Sequence, residues 1–356
     1  MERAARECGF KGVTTSHSSD SNTLEYGDVF SGVGSDFIAV NAYSSVNMGM
    51  GKSTDPSVYG SGLGIMESLV KSRVSGAPFF VSGYNTGFGA KFSGDTVLAM
   101  AALSAQQGWS ACQYYFNGGN ENKNDIFEVE SDISRLGLMP AAAVLNSGMK
   151  ELDEGYVAEL PVSALVSPEF NKTVLPHIFD KKVSVSLKEN NNVMLGVDDN
   201  KRKYINDNFM FDSGKHIYKI KTANTEACIG VLSEKEEFDY IDYHLNSAIC
   251  AAALSALDGK DFKTADRLLL TTVGRTRNEG MQVDEWFNIE GGGDSVTEPV
   301  TGMVVFKNLG NIKVYALDFS GRKTHEMAQV KDKKGNIIVP ITEDNSAVYY
   351  EIVREG

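Results

Sequence analysis

Basic residues are in short supply. Across 356 residues, 34 Lys and Arg stand against 47 Asp and Glu, a formal net charge of −13. A nucleic-acid binder carries a basic face, and an anionic membrane attracts polybasic segments, so both partner classes are excluded as expectations. The acidity suits a neutral or cationic ligand and otherwise serves solubility. Long apolar runs are missing too. No stretch reaches the roughly 18 apolar residues that a membrane-spanning helix needs. Cysteines are few: Cys8, Cys112, Cys228 and Cys250. None forms a CxxC pair, and no His stands near them at zinc-ligand spacing, so no metal site or cofactor is implied. They read as buried thiols. A Cys228–Cys250 disulfide across neighbouring strands is the alternative.

What is present is ordinary globular material. Hydrophobic residues at 42% and charged residues at 23% suit a soluble protein, and the length suits two domains. The first residues, Met1-Glu-Arg-Ala-Ala-Arg-Glu, are charged and helical. They do not read as a signal peptide, but as a helix already under way.

Residues 1–150 alternate strand and helix signals. Residues 37–43, Phe-Ile-Ala-Val-Asn-Ala-Tyr, form a continuous apolar strand of the kind buried on both faces of a parallel sheet. Residues 63–75 read as an amphipathic helix and 78–82 as a buried strand ending at Gly83. An Ala-rich helix (94–108), a strand (110–116) and a further helix (140–146) follow. This is the grammar of parallel βα units. The loops after the strands are long and rich in Gly, Ser, Asn and Tyr, as on the functional face of a barrel. The expectation is an α/β domain, the C-terminal half of a TIM-type (β/α)8 barrel. From about residue 152 alternating runs separated by turns such as Asp258-Gly259 and Ser320-Gly321 take over. Residues 151–356 are therefore expected to form an all-β, antiparallel β-sandwich.

Strand ends carry the chemistry in a barrel. Here they offer Asn41, Tyr43, Gly83, Asn85, Tyr115 and Asn117, with no Asp or Glu among them. Glu67 reads as a solvated helix residue and Asp95 as a helix-start carboxylate that suits the dipole. His17 ends a short strand, either as a plain loop histidine or as a contact to a substrate hydroxyl. Ser16 and Ser82 lack a nucleophile-elbow context. Gly60-Ser-Gly-Leu-Gly has no strand directly before it and no Lys at the right place for a phosphate loop. The rings at Tyr43, Tyr84, Trp109, Tyr114, Tyr115 and Phe116 suit the apolar faces of sugars, with Asn bonding the hydroxyls; the plain alternative is that half of them are core. The strand at Arg267, with its charged turn, reads as a central strand with an ionic corner.

Four segments carry a resemblance. They are Gly76-Ala-Pro-Phe-Phe-Val-Ser-Gly-Tyr-Asn; Ala101-Ala-Leu-Ser-Ala-Gln-Gln-Gly-Trp-Ser running into Tyr114-Tyr-Phe; Asp132-Ile-Ser-Arg-Leu-Gly-Leu-Met-Pro-Ala-Ala-Ala; and Arg267-Leu-Leu-Leu-Thr-Thr-Val-Gly-Arg-Thr-Arg-Asn-Glu-Gly-Met. In order, over nearly the whole chain, they resemble clan A glycoside hydrolases of the cellulase and β-galactosidase type. The resemblance implies a retaining hydrolase acting on a poly- or oligosaccharide, with substrate contacts at Asn41, Tyr43, Tyr84, Asn85, Trp109 and Tyr115. It departs from the family where catalysis is decided. The nucleophilic glutamate of a Ser/Thr-Glu-Tyr/Trp pattern is replaced by Gly83, between Ser82 and Tyr84. The acid/base glutamate would lie upstream of Met1. The implied protein is carbohydrate-active by ancestry and inactive as written, with a non-catalytic glycan-binding or structural module as the alternative. An upstream segment, a second chain or self-association is expected to complete the barrel. Such hydrolases are commonly exported; this chain carries no signal of its own.

Overall fold

The computed structural model describes residues 2–15, 18–20, 26–44, 64–88, 90, 92–113, 129–130, 132–167, 170, 175, 177–189, 203–212, 214–284 and 289–355. The chain begins with α1 (Glu2–Glu7), β1 (Ser18–Asp20), α2 (Tyr26–Ser31), β2 (Ile38–Ser44), α3 (Gly64–Lys71), β3 (Phe79–Thr86), α4 (Asp95–Gln107) and β4 (Ser110–Gln113). The four strands lie in chain order in one parallel sheet. Helix α4 is rich in Ala because it is buried almost all round, and small side chains let neighbours approach closely. Its C-terminus closes on Gly108, whose left-handed φ of 65° L-residues with a Cβ avoid.

Next come α5 (Ile133–Leu136), α6 (Met139–Gly148) and a parallel strand pair, β5 (Gly155–Pro161) with β6 (Lys182–Lys188). Gln107 ties the end of α4 to that pair. Its amide donates to the carbonyls of Ile178 and Lys181, both at 2.8 Å, and accepts from Val183 N–H at 2.9 Å.

The remainder is antiparallel. Its strands are β7 (Lys203–Ile205), β8 (Phe209–Asp212), β9 (Ile217–Lys221), β10 (Thr225–Gly230), β11 (Glu236–Glu237), β12 (Ile241–Leu245), β13 (Cys250–Ala256), β14 (Arg267–Gly274), β15 (Thr276–Asn278), β16 (Gln282–Val283), β17 (Ile289–Glu290), β18 (Ser295–Thr297), β19 (Gly302–Phe306), β20 (Ile312–Leu317), β21 (Lys323–Glu326), β22 (Val330–Lys331), β23 (Ile337–Ile341) and β24 (Tyr349–Arg354). Nine form one sheet in the order β21-β20-β24-β14-β13-β10-β9-β8-β7, and five form a second, β11-β12-β19-β23-β22.

Side-chain alternation divides the nine-stranded sheet between two cores. Cys228, Leu254, Leu268, Leu270, Val314 and Ile352 face the five-stranded sheet. Ala227, Ile229, Ala251, Ala253 and Val273 join the core of the parallel sheet and its helices. Helix α6 lies against β10 and β13. The central strand β13 is buried at every position and reads Cys-Ala-Ala-Ala-Leu-Ser-Ala, because both faces are covered and the helix needs room.

The half-barrel expectation is corrected by this structure. Among the described residues, 24 strands stand against 6 α-helices, and the largest sheet is antiparallel. Among the described residues the parallel sheet is open and four strands wide, with β1 and β4 at its edges. Strand–helix alternation encodes parallel pairing. Closure into a barrel depends on strand number and stagger, which alternation does not encode.

The cysteine alternatives also resolve. Cys228 and Cys250 are both buried free thiols. They lie on paired strands, but Gly230 faces Cys250 and Cys228 faces Ala252. Such diagonal neighbours sit about 7–8 Å apart, beyond the reach of a disulfide.

Candidate functional site

The parallel sheet has one covered face and one half-open face. Ile38, Val40, Ala42 and Val81 are buried, in the core that α3 and α4 also line. On the other side Phe37, Asn41, Tyr43, Phe80 and Ser82 are each partly exposed, with Phe37 and Phe80 packed edge-on at 6.1 Å. Strand β3 is irregular on this face. Val40 pairs with Val81, but Asn41 pairs with Gly83, so Ser82 is an extra residue. Its pairing with β4 shifts over the same stretch. Bulges of this kind re-aim side chains and occur beside active sites. Here Ser82 turns to Asn41 and donates its hydroxyl to Asn41 Oδ1 at 2.7 Å. Gly83, the next residue, stands opposite Asn41 and has nothing to aim.

The structure thus brings Asn41, Tyr43 and Gly83 together at the carboxyl half of the open face. It places Tyr84 and Trp109 elsewhere, and it buries Asn85, although that residue pairs with Tyr43. Tyr84 pairs with Ala42 and belongs to the core, because the residue after the bulge points to the covered side. Asn85 is fully buried. Trp109 is 7% exposed and packs on Phe79 at 5.1 Å. That is the amino end of β3, about 13 Å from Gly83 at the usual strand rise. Tyr115 lies outside the described residues, as do Tyr114, Phe116, Asn117, Ser16 and His17.

Asn85 is held by a polar network that the sequence did not announce. At its centre is Arg135, the largest fully buried side chain among the described residues. Its guanidinium donates to Asp132 Oδ2 at 2.7 Å, to Asn85 Oδ1 at 2.5 Å and to the Thr86 carbonyl at 2.9 Å. Asp132 also accepts from the hydroxyls of Ser93 and Ser134 and from Ser134 N–H. Thr276, on β15, accepts a second branch of the Ser134 N–H bond at 2.9 Å. Arg277 donates to the Ala90 carbonyl at 2.6 Å. The antiparallel part therefore grips the segment that follows β3. The only signal in the sequence was Asp132 two residues ahead of Ser134, a helix N-cap pattern; that the arginine beside it is buried could not be read.

The chemistry available is limited by the carboxylates. Asp95 and Asp132 are fully buried and engaged by Thr86 and by Arg135. Neither lies on the open face. No group of His, Cys, Asp and Glu among the described residues is arranged to hold a metal ion. What the face offers is an amide, hydroxyls and rings; against the expectation that no acidic residue ends a strand of this sheet, Asp20 ends β1 in register with Asn41.

Comparison with known proteins found no match: no family model, no curated protein and no solved structure matches the chain.

Proposed function

We propose that this chain binds a poly- or oligosaccharide on the half-open face of its parallel sheet and does not by itself perform retaining glycoside hydrolysis. One observation carries the reading: Asn41, Tyr43 and Ser82 converge around a bulge whose next residue, Gly83, has no side chain. Rings meet the C–H faces of sugars, and amides and hydroxyls meet their hydroxyl groups. The resemblance to retaining glycoside hydrolases supports the same ligand class. Retaining cleavage needs two carboxyl groups about 5–5.5 Å apart across the bond, and among the described strands of this sheet a single carboxylate residue, Asp20 at the end of β1, stands in register with Asn41. Without a nucleophile, covalent catalysis loses orders of magnitude in rate.

The test is titration calorimetry with neutral oligosaccharides (cello-, xylo- and mannohexaose) against wild type, Asn41→Ala and Tyr43→Ala. Each substitution is expected to weaken binding about tenfold or more, the cost of about 1.4 kcal/mol of lost contact, with little change in melting temperature. Binding that neither substitution alters overturns the reading, as does measurable wild-type turnover of aryl glycosides. Gly83→Glu separates ancestry from present function. Turnover gained in that variant supports a hydrolase that has lost its nucleophile; none gained supports a binding module.

A further inference from the structure

A cavity lies mainly on the antiparallel part, with Ile133 of α5 also in its lining. It holds about 440 Å³ and opens between the turn after β20 and the short helical turn at Glu343–Asn345, within the range of small-ligand sites. At its mouth stands Phe319, 66% exposed and packed edge-on to Tyr349 at 6.3 Å. The ring is presented by a fixed turn. Asp318 Oδ1 accepts from Ser320 N–H at 2.9 Å, Ser320 hydroxyl at 2.7 Å and Arg322 N–H at 2.9 Å. The facing turn is fixed as well, since Asn345 Oδ1 accepts from Thr342 N–H at 2.7 Å in a capping box. A preset ring and preset turns give up little entropy on binding.

The lining defines the ligand. No Lys or Arg contributes to it, and its one histidine, His325, is hydrogen-bonded to Thr324 at 3.1 Å, so the carboxylates of the lining disfavour phosphates and other anions. Four carboxylates line it: Glu298 is paired with Arg275, whereas among the described residues Asp318, Glu343 and Asp344 form no ion pair. Hydroxyl groups donating to carboxylates make short, strong hydrogen bonds. An exposed ring beside such acceptors matches a molecule with an apolar face and many O–H donors.

We infer that this cavity is a second carbohydrate subsite, with Phe319 as the stacking platform and Asp318, Glu343 and Asp344 as acceptors for the hydroxyls of a neutral oligosaccharide. The inference stands on its own geometry and shares with the proposed function only the ligand class.

The experiment is titration of the full chain with the same three hexaoses and with a glucosamine hexamer, using wild type, Phe319→Ala, Phe319→Trp, Asp344→Asn and the double variant Asn41→Ala/Tyr43→Ala. Phe319→Ala is expected to weaken neutral-glycan binding about thirtyfold, as truncating a central aromatic anchor does. Phe319→Trp restores it, Asp344→Asn weakens it, and the double variant retains this binding event. Because Phe319 is exposed, unchanged melting temperatures will show that its variants fold. The inference is overturned if wild type binds none of the neutral hexaoses, if Phe319→Ala binds as well as wild type, or if only the cationic hexamer binds. Binding lost in the double variant but kept in Phe319→Ala overturns this subsite and leaves the strand-face reading standing. The reverse pattern overturns the strand face and leaves the subsite.

Discussion

Replacing Arg135 with methionine should destabilise the protein by about 3–5 kcal/mol, the cost of breaking one side of a buried ion pair. Both members of the pair are fully buried, with the guanidinium 2.7 Å from Asp132. Methionine fills most of the volume, so the loss is chiefly electrostatic. Asp132 keeps the hydroxyls of Ser93 and Ser134 and the Ser134 N–H, which holds the cost within that range. Asn85 Oδ1 and the Thr86 carbonyl lose a shared donor. With an unfolding entropy of about 2.1 cal/mol/K per residue, a loss of about 4 kcal/mol in 356 residues lowers the melting temperature by about 5 °C. A double-mutant cycle isolates the pair. Asp132→Asn alone should cost about 3 kcal/mol, because it leaves the arginine buried without its counter-charge. The double variant should cost at least about 2 kcal/mol less than the two singles together, since no unpaired charge remains. Urea denaturation followed by tryptophan fluorescence and circular dichroism measures all three. A single-variant cost below about 1 kcal/mol, or additivity within about 0.5 kcal/mol, would refute the account of this network as a buried, mutually dependent unit.

Two further outcomes follow from buried groups elsewhere. Burial pushes the Cys250 thiol up to about 12 and the Cys228 thiol well up, whereas Cys8 is exposed; iodoacetamide at about pH 8 should therefore label Cys8 in the native protein and reach Cys228 and Cys250 only after unfolding, and peptide mass spectra showing early labelling at either would contradict the packing described for β10 and β13. Burial also raises the Glu351 carboxyl, but hydrogen bonds from Lys323 and Arg267 outweigh it and leave the group below its ordinary value of 4.5. A carboxylate with a depressed folded value stabilises the protein above its unfolded value and stops doing so as the pH falls through the folded one. The stability difference between wild type and Glu351→Gln should thus be largest near neutral pH and shrink as the solution is acidified below about 4.5; a difference constant across that range would show that ionisation of Glu351 is not what stabilises the wild type.

The sheet positions were partly legible. The apolar run at residues 37–43 is strand β2 and the Ala-rich segment is α4, while the run at 78–82 lies in β3, which does not end at Gly83 as expected but continues through it to Thr86. Local periodicity is enough for such elements. The bulge at Ser82 was not legible, because it is a relation between strands: it exists only once Asn41 is set against Gly83. That relation turns Tyr84 into the core and brings Asn41 and Tyr43 beside Gly83. Trp109 and Tyr84 look alike as aromatic residues near strand ends, and only packing separates a ring against Phe79 from one lining a face.

By itself, the sequence determined the excess of acidic over basic residues and where the main elements lie, since these depend on residue identity and local spacing. The tertiary structure alone decided that the parallel sheet stays open, that the antiparallel strands form its largest sheet, and that Arg135 is sealed against Asp132. It also decided that Phe319 is held exposed beside a cavity lined by Asp318, Glu343 and Asp344. Pairing, register and burial arise between residues far apart in the chain, and a linear reading of neighbours carries no record of them.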